Sequence, residues 1–157
     1  MGYLKILVAL DINETGTALF DEALDLARQT GAELMLFCCF EERTVAEVGD
    51  RVTTVAEMNM SDAELIHESR LRVELSHVHA WLESLARLAA EQGVPARVDA
   101  ETGKPAQRIC ELAADWGADL IVLGHASRHP FKELLLGNIN THILRDAPCS
   151  VLISKRK

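Results

Sequence analysis

Two glycines, Gly124 and Gly137, bound the stretch of this chain whose residue types could hold an anion, GHASRHPFKELLLGN. It follows an apolar run, ADLIVLG, and leads into NINTHILRDA, which is typical of a helix. Glycine at a strand end and again at a helix start suits phosphate binding, because a helix N-terminus offers free N–H groups and the positive end of its dipole. Arg128 and Lys132 add positive charge. The alternative is a glycine-capped loop before an ordinary helix, since the sequence contains neither a P-loop nor a GxGxxG motif.

A carboxylate, Asp11, is the second candidate for binding chemistry. It directly follows YLKILVAL, an apolar run typical of a strand covered on both faces. If the first and fourth strands are neighbours in a parallel sheet, Asp11 and Gly124 meet at one crevice beyond the carboxyl ends of the strands. Alone, Asp11 is equally well explained as a turn or helix-capping residue, and its pairing with Gly124 favours a ligand contact.

Alternating strands and helices must position these residues. Strands are expected at Tyr3–Leu10, Glu33–Phe40, Ala96–Gly103, Ala118–Gly124 and Ser150–Ser154. Helices are expected up to Gly31, from a capping box at Ser61 to about Gln92, from Pro105 to Gly117, and from about Asn138 to Arg145. The stretch from Glu41 to Met60 has no clear period. This order predicts one domain over residues 1–157, an α/β fold with a doubly wound five-stranded parallel sheet and helices on both faces.

Bulk properties of the 157-residue chain argue against several classes of protein. Its formal net charge of −8 argues against general nucleic-acid binding, which needs a basic face. No apolar run approaches the roughly 20 residues of a membrane helix, and MGYLKILVALD reads as a strand, which favours the cytoplasm. Cys38 and Cys39 are adjacent on a predicted strand, so their side chains should point to opposite faces and behave as buried free thiols.

Catalytic and metal-binding arrangements are not evident. His77 and His79 are two positions apart on a predicted helix, where side chains diverge, so they cannot grip one metal ion together. No serine or cysteine has a recognisable nucleophile setting, and no general base for hydrolysis is evident. We therefore expect no catalytic residues, no metal ligands and no ordinary enzymatic turnover, with a weak hydrolysis as the remaining variant.

Several stretches together resemble the universal stress protein family over essentially the whole chain: KILVALD, LFCCFEE, GKPAQRI, ADLIVLG and LLLGNINTHILRDAPCSVLI. The resemblance implies the strand order 3-2-1-4-5 and a homodimer. One branch of that family binds ATP or related adenine nucleotides, and another does not. The binding branch carries G-x2-G-x9-G-[ST], which Gly124 and Gly137 match, whereas Ser127 and Asn138 depart from it. The Ser127 hydroxyl and the Asn138 amide can still donate hydrogen bonds.

The resemblance also implies particular contacts with a nucleotide. Asp11 would hold the ribose hydroxyls or a metal near the phosphates, and Ala9 and the Cys39 backbone would meet the adenine. The remaining implied contacts are on the sugar-phosphate side, from Ala126, Ser127, Arg128, Gly137, Asn138, Ile139 and Asn140.

Two classes of function follow. The first is a dimeric regulatory module of the stress response that binds ATP, ADP or AMP, with or without magnesium. The second is a dimeric interaction protein of the same fold that binds no nucleotide and acts through its dimer surface or through Glu41–Met60. In both, the short apolar strand SVLIS lies at a sheet edge, where an unprotected strand tends to pair with another chain.

Overall fold

The computed structural model describes residues 2–12, 14–41, 60–125 and 139–155, and gives only the backbone of residues 14, 15, 60 and 61. The strands are β1 (Lys5–Ala9), β2 (Glu33–Phe40), β3 (Ala96–Thr102), β4 (Leu120–Gly124) and β5 (Ser150–Ser154). The helices are α1 (Glu14–Thr30), α2 (Met60–Glu91), α3 (Pro105–Trp116) and α4 (Ile139–Asp146). The strands form one five-stranded sheet in the order β3-β2-β1-β4-β5, and every pair is parallel. This confirms the predicted α/β fold class and strand order.

The central strand β1 explains why its sequence is almost continuously apolar. Ile6, Leu7 and Val8 are each 0% exposed, because helices cover both faces of the sheet. Ile6 and Val8 pack into a core half with α1 and α2, whereas Leu7 packs into the other half with α3 and α4. The alternation of side chains along one strand therefore fills two separate apolar layers.

The same alternation separates the two adjacent cysteines, as the sequence predicted. Cys38 is buried in the layer beneath α1 and α2, and Cys39 packs against the layer beneath α3 and α4. Both thiols are free.

The predicted helix ends agree with the structure except at the start of α2. Gly31 and Gly117 end their helices with positive φ angles of 76° and 78°, a conformation that glycine adopts without a Cβ penalty. Pro105 opens α3, where its missing N–H costs no helical hydrogen bond. Helix α2 already includes Met60, so the prediction that Ser61 caps this helix was wrong: Ser61 lies inside the first turn.

The long helix α2 is covered by the rest of the protein along only part of its length. Four apolar residues at helical spacing in its C-terminal half are buried against the sheet: Val78, Leu82, Leu85 and Ala89. Nearer its N-terminus, Leu65, Ile66 and Val73 are exposed. Among the described residues, no helix is long and apolar enough to cross a membrane.

One carboxylate fastens β1 to β4 at the amino end of the sheet. Asp119, the residue before β4, accepts hydrogen bonds from the backbone N–H groups of Leu4 at 2.9 Å and of Lys5 at 3.1 Å. These bonds set the register in which Val8 lies beside Val122. The carboxyl ends of the two strands therefore reach the same level at the opposite edge of the sheet.

Candidate functional site

A crevice opens at the carboxyl ends of β1 and β4, where the order of the strands reverses. β1 pairs with β2 on one side and with β4 on the other, so the connections on its two sides diverge. Such a divergence leaves a gap above the strand ends, which is the usual ligand position in this class of sheet. The crevice is open to solvent on one side.

The walls of the crevice divide into an apolar and a more polar set of residues. The apolar set is Ala9, Leu10, Leu19, Phe37, Pro105, Ile109, Leu123 and Ile139. The second set is Asp11, Gly16, Cys39, Gly124, His125 and Asn140. An apolar wall suits a flat heterocycle, and a few polar groups beside it suit an attached polar moiety.

Three helices begin at this crevice. Gly16 lies in the first turn of α1, Pro105 is the first residue of α3, and Ile139 is the first residue of α4; all three line the crevice. The positive ends of the three helix dipoles therefore face the same space, which favours an anion there despite the acidic Asp11.

Six residues that the sequence singled out come together in this crevice: Ala9, Asp11, Cys39, Gly124, Ile139 and Asn140. Asp11 and Gly124 line the same crevice, because β1 and β4 are neighbours in the sheet, as predicted. Five further candidates, Ala126, Ser127, Arg128, Gly137 and Asn138, lie outside the described residues. For all eleven, contact with a nucleotide stays a prediction.

Most of the apolar wall was not identified from the sequence. In the sequence, Phe37, Ile109 and Leu123 look like ordinary core residues, and the fold alone shows that they line the crevice. Pro105 carried a usable signal, because a proline that starts a helix after the third strand must lie at the carboxyl edge of the sheet.

The described part of the structure does not require a glycine at position 124. Among the described residues, a Cβ atom built on Gly124 would meet only Leu19 Cδ2, at 3.7 Å, which is an ordinary van der Waals contact. Its φ angle is not among the positive ones. The absence of a side chain therefore leaves the end of β4 open to the crevice.

Gly16 is a glycine of the opposite kind. A Cβ atom built on it would lie 1.9 Å from the carbonyl oxygen of Asp11 and 3.2 Å from the ring of Trp81. The first turn of α1 thus approaches the backbone of Asp11 more closely than a side chain allows. This contact places Asp11 at the rim of the crevice, where its side chain is exposed.

Asn140 links two of the elements that form the crevice. Its side-chain Nδ2 donates a hydrogen bond of 3.1 Å to the carbonyl oxygen of Gly124. The end of β4 and the first turn of α4 are thereby joined across 16 positions of sequence.

The thiols near the crevice are held in their protonated form. Burial, and secondarily the charge of Glu101, raises the pKa of Cys39 to about 11. Burial, and secondarily the charge of Asp11, raises the pKa of Cys38 to about 12. Neither thiol can therefore act as a thiolate nucleophile near neutral pH.

Metal-binding geometry is not found in the described part of the chain, where no group of three or more His, Cys, Asp or Glu side chains could hold an ion. His79 instead lies 3.8 Å from Glu83 on the next turn of α2.

Comparisons with known proteins extend over the whole fold. The model of the universal stress protein family matches residues 2–155. Universal stress protein Sll1388 of Synechocystis sp. is 31% identical over 153 residues, which cover 98% of each chain. The solved structure of universal stress protein UspA from Lactobacillus plantarum has a TM-score of 0.77 at 20% identity, covering 99% of each chain.

Two further solved structures are complexes with an adenine nucleotide. A universal stress protein in complex with cAMP has a TM-score of 0.69 at 17% identity and covers 100% of both chains. The universal stress protein from Archaeoglobus fulgidus in complex with dAMP has a TM-score of 0.60 at 16% identity and covers 99% of this chain and 100% of that chain. At these identities the structural likeness shows the fold alone, whereas the family match and the Synechocystis relative show that the chain belongs to the universal stress protein family.

Proposed function

We propose that the protein is an adenine-nucleotide-binding module of the stress response that acts in the cytoplasm as a homodimer. The observation that carries the proposal is the crevice at the strand-order reversal, where an apolar wall adjoins Asp11, Gly124 and Asn140. The apolar residues would take the base, and the three helix N-termini would favour the phosphates. The family members solved with cAMP and dAMP support this choice of ligand.

Bound nucleotide is the direct test. Freshly purified protein, denatured and chromatographed, should release an adenine nucleotide. A ligand at about a hundredfold excess over its dissociation constant stabilises the folded state by about 2.7 kcal/mol, which corresponds to about 5–10 °C in melting temperature. We expect at least one of ATP, ADP and AMP to give such a shift, with magnesium tested separately for ATP.

The opposite result supports the other class of function. If the purified protein carries no nucleotide, and millimolar ATP, ADP and AMP leave the melting temperature unchanged, the crevice does not bind nucleotide. The protein would then act as a dimeric interaction protein of the same fold.

We further propose that the protein does not turn over a nucleotide at an ordinary enzymatic rate. The thiols of Cys38 and Cys39 are protonated at neutral pH, so neither supplies a nucleophile. Among the described residues of the crevice, Asp11 is the one carboxylate that could act as a base. Typical enzymes reach on the order of 10 turnovers per second. Phosphate release from ATP should stay far below one tenth of that rate; a faster rate that survives further purification and is lost in Asp11→Ala would contradict the proposal.

The proposed homodimer forms about β5, which is an edge strand of the sheet. Its three central residues, Val151, Leu152 and Ile153, are apolar yet only partly buried within one chain. An edge strand of this composition tends to pair with another chain. We expect light scattering to give a dimer mass at micromolar concentration and Val151→Asp to lower it toward the monomer mass.

A substitution at the opposite edge of the sheet controls for the introduction of an aspartate on an edge strand. Arg97→Asp alters an exposed side chain of β3 and should leave the mass unchanged. A monomer mass for the natural protein, or a dimer that persists in a folded Val151→Asp variant, would exclude β5 as the dimer contact.

A further inference from the structure

The hydrogen bond between Asn140 and Gly124 gives Asn140 a role besides the contact on the sugar-phosphate side that the family resemblance implies. Its side-chain amide nitrogen lies 3.1 Å from the Gly124 carbonyl oxygen, and the contact is partly buried. A carbonyl oxygen only accepts hydrogen bonds, so the amide must present its N–H group to Gly124. One N–H of the amide is thereby committed to Gly124, and its second N–H is what the side chain can still offer to another acceptor.

The two residues belong to two elements that meet at the crevice. Gly124 is the last residue of β4, and Asn140 is the second residue of α4; both line the crevice. Gly124 is also paired with Ser154 of β5, so its backbone is held on the far side. The amide of Asn140 therefore ties the start of α4 to a strand end that is itself paired with β5.

We propose that Asn140 is a positioning residue that fastens the start of α4 to the end of β4 and so sets the width of the nucleotide crevice. This inference rests on the proposed function for its effect on ligands. The fastening itself is a property of the protein without nucleotide, and it can be measured separately.

Asn140→Asp is the informative change, because it keeps the size of the side chain and replaces the donor by an acceptor. At pH 7 the ionised carboxylate would face the Gly124 carbonyl without a proton between them. At low pH the protonated carboxyl can donate and restore the bond. Asn140→Ala removes the bond at every pH and also serves if the Asp variant fails to fold.

Urea unfolding without nucleotide is the first measurement, at pH 7 and pH 4.5. At pH 7 both variants should lose on the order of tenfold in the ratio of folded to unfolded protein, the usual worth of a partly buried hydrogen bond. At pH 4.5 the deficit of Asn140→Asp should shrink and that of Asn140→Ala should not. Asp11 and His125 line the same crevice and His142 pairs with Asp146 on α4, so each deficit is taken against the natural protein at the same pH.

Ligand affinity is the second measurement, with AMP and adenosine as probes. A residue that sets the crevice width should weaken both ligands when it is changed, on the order of tenfold at pH 7. A direct phosphate ligand should weaken AMP alone. Gln92→Glu is the control, since it makes the same amide-to-acid change at an exposed residue after α2, outside the crevice.

The outcomes separate the proposals. Three results would each overturn the positioning role. The first is an unchanged stability of Asn140→Asp at pH 7, and the second is a stability deficit of this variant that is the same at pH 4.5 and pH 7. The third is a loss of affinity for AMP with the affinity for adenosine unchanged. If the natural protein binds neither AMP nor adenosine, the proposed function fails, and the pH-dependent stability deficit still decides whether Asn140 fastens α4 to β4.

Discussion

Replacement of Gly124 by valine should remove most of the nucleotide affinity while leaving the fold intact. Among the described residues, a Cβ at this position would contact only Leu19 Cδ2, at 3.7 Å, and valine is well accepted in strands. We therefore expect the stability of the unliganded variant to change by less than about 1 kcal/mol. Forcing extra methyl groups into a packed contact with a ligand costs about 1–3 kcal/mol, a loss of about tenfold to a hundredfold in affinity.

The measurement is isothermal titration with AMP and ATP, together with urea unfolding of the unliganded protein. Gly124→Ala should give an intermediate loss, because it adds one carbon atom instead of three. Gly2→Val is the matched control: a Cβ there meets Thr30 at 3.5 Å, also an ordinary contact, at the other end of the sheet. An unchanged affinity in a well-folded Gly124→Val variant would show that no nucleotide passes close to the end of β4.

The sequence made the sheet predictable because a buried parallel strand leaves little freedom in composition. The stretch ILVAL must be apolar at successive positions, since Leu7 faces one core layer and Val8 the other. Gly117 could be placed as a helix end because glycine adopts a positive φ most readily. These are local constraints, and each can be inferred from the sequence without knowing where the neighbouring elements lie.

The site was predictable only where a residue was locally odd. Asp11 after an apolar strand and Gly124 at the end of another stand out, and the strand order then brings them together. Phe37 and Ile109 satisfy the rules for core residues, so nothing in the sequence separates their role at the crevice from packing. The bond from Asn140 to Gly124 depends on how α4 sits on the sheet, which spacing along the chain does not determine.

Bound nucleotide should protect Cys39 from alkylation by up to about a hundredfold. Cys39 lines the crevice and is only half-buried, so it can react in the free protein. When the ligand is present at a hundredfold excess over its dissociation constant, about one molecule in a hundred has an open crevice. The rate of modification should fall by the same factor if the nucleotide covers the thiol.

The pH of the experiment follows from the raised thiol pKa values. With a pKa of about 11, Cys39 is about one part in ten thousand thiolate at pH 7, and its reactivity rises tenfold with each pH unit below 11. Thiols with raised pKa values stabilise the folded state while they are protonated. That stabilisation is complete below the ordinary pKa of 9.0 and is lost as pH rises through about 11 and 12. Iodoacetamide labelling at pH 8.5 therefore gives measurable rates before the fold weakens.

Cys110 and Cys149 are internal controls for this protection. They are half-buried like Cys39, burial also raises their pKa values, and neither lines the crevice. Protection confined to Cys39 would place the nucleotide against the end of β2. Equal protection of all three would mean that the ligand acts by suppressing global unfolding, since an opened chain exposes every thiol alike. If a nucleotide raises the melting temperature but does not protect Cys39, it binds outside this crevice.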